Sequence, residues 1–285
     1  MKCAMLLLLS LCLLLSALPV LAEANGPAQL SEGEVLAVDL DGDGVAESLR
    51  WDMVPGEYDE NLTLTVANPG GAEISYATDI IWGSAVTVLD LDGDGLTEIL
   101  VSGDVMSDDY STWCLRLTEG AFYEVLFPDG SRGDNTDGYY KQGYGRVIAA
   151  GDGRVTLSGS QDILGTWFGT RTLALTPYDR FEFDDAGLWM RDLEGLDSEA
   201  LWEYGALTVA APLSYADLWG NPAGTLEPGE KILIYASDKR EVACFATRDG
   251  LNGALSISPD YERGWGWLVD GIPEEDCFEY VPYAD

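Results

Sequence analysis

The residues best suited to chemistry in this chain form a nine-residue acidic pattern that occurs twice. The pattern reads Asp-Leu-Asp-Gly-Asp-Gly-x-x-Glu, and its copies span 39–47 and 90–98. Carboxylates at alternate positions can turn inward on a tight loop, and the glycines permit the positive φ angles that such a loop needs. Ca²⁺ is a hard cation that takes about six to eight oxygen ligands, so this pattern indicates a calcium-binding loop.

Each copy offers three aspartates, one main-chain carbonyl and a closing glutamate as ligands. The candidate ligands are Asp39, Asp41, Asp43, Val45 and Glu47 in the first copy, and Asp90, Asp92, Asp94, Leu96 and Glu98 in the second, with Val45 and Leu96 acting through their carbonyls. We therefore expect two Ca²⁺ sites, with water completing each shell. The spacing excludes an EF-hand, whose bidentate glutamate stands at position twelve of the loop. Arg50 and Val101 occupy that position here.

Turn chemistry between strands is the alternative explanation of the acidic pattern. Asp and Gly favour tight turns without any metal. Both copies are indeed flanked by runs typical of strands, at 35–38 and 48–51 for the first and at 86–89 and 99–101 for the second. Two identical copies, each with four acids at odd positions, favour a metal site over turns alone.

The order of strand, acidic loop and strand resembles the FG-GAP or VCBS repeats of secreted bacterial proteins and of integrin α-chain β-propellers. The likeness is carried by the acidic positions of 39–47 and 90–98, with Glu47 and Glu98 where many members have Asp. The Phe-Gly and Gly-Ala-Pro signatures are not evident, so the bacterial VCBS branch is the better match. The resemblance implies that each loop joins two strands of one propeller blade.

A third, decayed copy lies further along the chain. When 151–153 is aligned with 93–95, Ile148, Ala150 and Thr156 stand where three of the acidic ligands stood. We expect a third hairpin without metal, followed by a strand at 170–175. Propeller blades take about 40 to 50 residues each. The predicted fold is therefore mainly β, with an incomplete, about three-blade propeller-like sheet domain over 25–192.

The N-terminal segment predicts export. Lys2 precedes an apolar stretch at 4–15, and 20–22 or 22–24 offers a cleavage site with small residues, which is the pattern of a secretory signal peptide over 1–24. No other run approaches the roughly 20 apolar residues that span a bilayer. Extracellular calcium modules work at dissociation constants of about 10⁻⁴ to 10⁻³ M. A secreted or cell-surface location therefore suits the expected metal.

Composition narrows the classes of function. The chain has 50 Asp plus Glu against 15 Lys plus Arg, a formal charge of -35, and no histidine. Such a charge repels nucleic acid and anionic membranes, so neither is expected as a partner. The lack of histidine excludes Ser-His-Asp and Cys-His catalysis and imidazole zinc sites. We expect a non-enzyme, although a hydrolase using paired carboxylates is the rival.

The C-terminal part is predicted to hold a separate small barrel. An acidic, helix-patterned connector spans 193–203, and short strand-like runs follow over 204–258. Their order, with 211–215 and 224–232 as points of likeness, resembles a bacterial Src-homology-3-like barrel, which implies a cell-wall or protein ligand. Tyr215 and Trp219 would line its groove, or else belong to an ordinary aromatic core. The aromatic tail at 259–285 is expected to close a domain or form a carbohydrate platform.

Two smaller features leave alternatives open. Three cysteines follow the signal peptide, and Cys244 and Cys277 either pair or remain free, while Cys114 is expected in the core. The tripeptide from Arg132 to Asp134 is either an integrin-recognition motif or a chance occurrence. The whole pattern predicts a secreted, calcium-binding, non-catalytic binding or structural protein of the cell surface. The alternative is a carboxylate-based hydrolase or its accessory cell-wall-binding or carbohydrate-binding part.

Overall fold

The structure is a computed structural model that describes residues 27–56, 60–106, 109–128, 139–184, 187–191 and 199–284. The described residues are mainly β-strand with two short helices, which confirms the predicted class. The predicted signal peptide at 1–24, the tripeptide at 132–134 and most of the predicted connector lie outside the described residues. Within the described part of the chain, no helix has the length and hydrophobicity needed to cross a bilayer.

The first strand is followed by a four-stranded antiparallel meander. These strands are β1 (Ala28–Leu30), β2 (Leu36–Val38), β3 (Glu47–Pro55), β4 (Glu60–Ala67) and β5 (Glu73–Ala77). Alternate residues of the central strands are buried, such as Leu49 and Trp51 in β3 and Leu62 and Leu64 in β4. This period of two is typical of strands with one buried face. The first acidic loop joins β2 to β3.

A second meander carries the second acidic loop. Its strands are β6 (Trp82–Leu89), β7 (Glu98–Asp104), β8 (Tyr110–Thr118) and β9 (Ala121–Val125). The loop joins β6 to β7, so it occupies the same place in its meander as the first loop does. β1 pairs with the free edge of β6. β7 is buried along its whole length, because both of its faces are covered.

Short strands lead to a third meander with the same order. The next strands are β10 (Phe127–Pro128), β11 (Tyr139–Tyr140), β12 (Gln142–Tyr144), β13 (Arg146–Gly151), β14 (Arg154–Asp162), β15 (Thr166–Thr176) and β16 (Arg180–Phe183). Asp152 and Gly153 turn the chain from β13 to β14 at φ angles of 51° and 72°, which suits a two-residue hairpin. The predicted third hairpin is confirmed, and β15 contains the predicted strand.

The C-terminal elements continue the sheet of the third meander. They are β17 (Trp189–Arg191), α1 (Glu199–Tyr204), β18 (Leu207–Thr208), β19 (Leu213–Ala216), β20 (Pro222–Leu226), β21 (Lys231–Ser237), β22 (Val242–Thr247), β23 (Asn252–Pro259), β24 (Trp267–Val269), β25 (Ile272–Pro273) and α2 (Glu274–Cys277). β17 pairs with β15 on one side and with β21 on the other. β21, β22 and β23 form a meander, and β19 pairs with β23 and β20.

Strand pairing therefore runs across the predicted boundary between 25–192 and 204–258. A single hydrophobic cluster also spans it, from Leu89 through Trp189 to Phe278. Among the described residues none of the sheets closes on itself. The separate barrel and the propeller-like arrangement stay predictions, whereas the continuous sheet is a feature that the sequence reasoning missed.

The second meander lies between two hydrophobic clusters. Ile99 and Val101 of β7 belong to a cluster shared with the first meander, whereas Leu100 between them belongs to the cluster shared with the third. Successive side chains of a strand point to opposite faces, so the sheet carries a core on each face. The acidic loops stand at the ends of strands fixed by these cores.

Candidate metal centre

The first acidic loop is held by hydrogen bonds from its own backbone. Asp39 accepts the Gly42 amide at 2.8 Å on one carboxylate oxygen and the Gly44 amide at 2.8 Å on the other. Asp41 accepts the Asp43 amide at 3.2 Å, and Asp43 accepts the Val45 amide at 2.7 Å. Gly42 and Gly44 have φ angles of 74° and 86°, which is why glycine is needed at both positions.

The second loop repeats these bonds position by position. Asp90 accepts the amides of Gly93 at 2.8 Å and Gly95 at 3.1 Å. Asp92 accepts the Asp94 amide at 3.3 Å, and Asp94 accepts the Leu96 amide at 2.8 Å. The two copies thus share one backbone scaffold as well as one sequence pattern.

Each scaffold gathers the three predicted aspartates. Asp39, Asp41 and Asp43 place carboxylate oxygens within 4.8 Å of one another, and so do Asp90, Asp92 and Asp94. Three hard oxygen donors at this separation suit a cation that prefers oxygen ligands, so the residues present fit Ca²⁺. The predicted carbonyl ligands Val45 and Leu96 follow directly on the same loops, and their amides complete the scaffold.

The closing glutamates lie deeper than the aspartates. Glu47 and Glu98 are 4% and 0% exposed. Glu47 accepts the Leu40 amide at 2.9 Å, and Glu98 accepts the Leu91 amide at 2.7 Å, each through one carboxylate oxygen. Burial raises the pKa of both carboxyls, and these amide bonds act against the rise. Each glutamate thus ties the start of its loop to the following strand through one oxygen of its carboxylate.

The two loops differ in their nearest cation. Arg116 of β8 lies opposite Glu98 in the register of the sheet. Its guanidinium contacts Glu98 through Nε, lies 3.4 Å from Asp92 and 3.3 Å from Asp94 through Nη2, and reaches Asp179 at 2.6 Å through Nη1. None of the four acids of the first loop has an ion pair with any residue that the structure describes. The sequence offered one signal for Arg116, a charged residue inside the otherwise apolar run 113–117.

The acidic loops lie side by side. Thr97 donates its hydroxyl to the Asp39 carbonyl at 2.9 Å and its amide to the Leu40 carbonyl at 3.4 Å. The turn of the third meander lies next in the row, since the Gly153 amide donates to the Leu91 carbonyl at 2.6 Å. The third turn carries only one acid, Asp152, as predicted from the decayed pattern. The three turns therefore lie next to one another in a row.

Tyr215 and Trp219, the predicted groove residues, have different surroundings. Tyr215 in β19 packs edge-to-face on Phe245 with ring centroids 5.5 Å apart, and it is half-buried. Trp219 lies in the turn between β19 and β20 and is 86% exposed. Packing explains Tyr215 as part of the core rim. Trp219 has no such explanation and is the better candidate for ligand contact.

The C-terminal tail is partly core and partly surface. Phe278 is buried, and Tyr283 donates to the buried carboxylate of Glu274 at 3.0 and 2.8 Å to its two oxygens. Tyr261 and Trp265 are exposed. The cysteines Cys114, Cys244 and Cys277 are all buried free thiols, so the pairing of Cys244 with Cys277 is not found.

Comparison with known proteins identifies no relative of this chain. No family model, no curated protein and no solved structure matches it. The resemblance to FG-GAP or VCBS repeats and to Src-homology-3-like barrels therefore stands on the residues quoted for it.

Proposed function

We propose that the acidic loops at 39–47 and 90–98 bind Ca²⁺ and that the protein is a secreted, non-catalytic binding or structural protein. One observation carries the calcium proposal. Both loops use the same set of backbone amides to hold three aspartates with carboxylate oxygens within 4.8 Å of one another. Like charges at this distance repel, and a divalent cation offsets that repulsion.

The place of the loops in the fold supports a structural role for the ion. Each loop closes the first hairpin of a meander, and each is packed against the next turn in the row. A cation bound in either loop would hold together the ends of two strands whose side chains already pack in the core. Three successive meanders with their turns in one row also favour the propeller-like arrangement. Calcium near millimolar concentration outside the cell would fill a loop of modest affinity.

Calcium titration with matched variants tests the proposal. Isothermal titration calorimetry of the exported chain should show Ca²⁺ binding at a dissociation constant of roughly 100 µM. The double variant Asp41→Asn with Asp92→Asn should lose the binding, since neutral amides remove two carboxylate ligands. Asp152→Asn in the third turn is the control and should bind as the parent does. Unchanged binding in the double variant would show that the loops are not the site.

The binding role rests on the exposed aromatic surface of the C-terminal region. Trp219 exposes a large ring at the turn of the hairpin whose first strand carries the half-buried Tyr215, and exposed aromatic rings are common contacts for carbohydrate and protein ligands. We therefore include a cell-wall, carbohydrate or protein ligand in the proposal. Binding of the parent chain and of Trp219→Ala to isolated cell wall and to a glycan array would test it. Equal binding of both forms would exclude Trp219 from the contact.

A further inference from the structure

Three carboxylate oxygens of the first loop remain after its scaffold is formed. One oxygen each of Asp41, Asp43 and Glu47 accepts a backbone amide. Their second oxygens, Asp41 Oδ2, Asp43 Oδ2 and Glu47 Oε1, make no hydrogen bond or ion pair with any other residue that the structure describes. These atoms are therefore available as ligands without breaking the loop.

The corresponding three oxygens of the second loop all meet one guanidinium. Asp92 Oδ2 and Asp94 Oδ2 lie 3.4 and 3.3 Å from Arg116 Nη2, and Glu98 Oε1 contacts Arg116 Nε. The amide-bound oxygens of the same residues are used as in the first loop. The Arg116 guanidinium thus contacts the oxygens that a calcium ion would use as ligands.

The position of Arg116 is set by the sheet. Arg116 pairs with Glu98 across β7 and β8, its side chain is 8% exposed, and Asp179 holds its third nitrogen at 2.6 Å. In the first meander the pairing of β3 with β4 ends at Ser48 and Ala67, so Glu47 has no partner on β4. Among the described residues, no cation therefore stands against the first loop as Arg116 does against the second.

We infer that Arg116 is a built-in cation of the second loop, which competes with Ca²⁺ for its carboxylates, so that the first loop is the principal calcium site. This inference rests on the proposed calcium function and deepens it. A guanidinium donates to carboxylates and carries a fixed charge, and a second cation beside it is repelled. We expect the second loop to bind Ca²⁺ at least tenfold more weakly than the first, which is about 1.4 kcal/mol.

Counting bound ions in single variants tests the inference. Native mass spectrometry and calorimetry with CaCl₂ should give one tight ion in the parent chain. Asp41→Asn should remove it, and Asp92→Asn should keep it. Arg116→Gln should bind a second ion with at least tenfold higher affinity than the parent's second loop. Arg154→Gln at a more exposed ion pair is the control and should bind calcium as the parent chain does.

The outcomes separate this inference from the calcium proposal. Two ions of equal affinity in the parent chain, or an unchanged ion count in a folded Arg116→Gln, would overturn the inference and leave the calcium function standing. No ion bound to any variant would overturn the calcium function itself. If Arg116→Gln does not fold, the contrast between Asp41→Asn and Asp92→Asn decides, and equal losses would overturn the inference.

Discussion

The first and second acidic loops have the same sequence at every acidic and glycine position and the same internal hydrogen bonds, yet their surroundings differ in charge. Arg116 on the neighbouring strand meets three acids of the second loop, whereas no described residue forms an ion pair with the acids of the first. A motif therefore fixes the shape of a cation site without fixing which cation fills it. That choice belongs to a residue outside the motif.

The largest difference should appear when the internal cation is removed. In chelator, Arg116→Gln should lower the free energy of unfolding by about 3 to 5 kcal/mol, because Glu98 is left as a buried, unpaired carboxylate. Urea unfolding in EDTA measures this loss. Arg154→Gln, whose ion pair with Asp184 is more exposed, should unfold like the parent. A loss for Arg116→Gln no greater than for Arg154→Gln would mean that the guanidinium does not stabilise the second loop.

A smaller difference should separate Gly42 from Gly93, which share a position in the two loops. Both have φ near 75°, at 74° and 78°, so Gly→Ala should cost roughly 1 to 2 kcal/mol in each. A Cβ on Gly42 would lie 3.2 Å from the Gly95 carbonyl oxygen, whereas one on Gly93 meets nothing within 4 Å.

The close approach of this Cβ to the Gly95 carbonyl should make Gly42→Ala lower the free energy of unfolding by roughly 1 kcal/mol more than Gly93→Ala does. Chemical unfolding of the two variants under identical conditions measures the difference. Equal losses would show that the first loop is not packed tightly against the second.

The smallest effect concerns Thr97, which stands where the first loop has Ala46. Thr97→Ala removes the hydroxyl donated to the Asp39 carbonyl at 2.9 Å, so the free energy of unfolding should fall by about 0.5 to 1.5 kcal/mol. Thermal unfolding in EDTA measures it, with the exposed Thr225→Ala as the control. A stability equal to that of the control would mean that this bond between the loops contributes nothing.

Local patterns in the sequence predicted the parts of the fold that local chemistry controls. The loops, the glycines with positive φ, the flanking strands and the turn at Asp152 all follow from residues close together in the chain. Arg116 could not be predicted as the partner of Glu98, because their contact depends on the register of β8 against β7. The pairing of β17 with both β15 and β21 is likewise long-range, so it escaped a search for domain boundaries.

Thermal unfolding with and without calcium tests the central claim most directly. If the first loop binds at roughly 100 µM, 1 mM Ca²⁺ should stabilise the fold by about 1.4 kcal/mol. The melting temperature should then rise by roughly 3 to 6 °C over its value in EDTA. Asp41→Ala should lose this rise in melting temperature, and the double variant Asp41→Ala with Asp92→Ala should likewise show no rise. Superimposable melting curves of the parent chain in EDTA and in calcium would contradict the assignment of these loops as calcium sites.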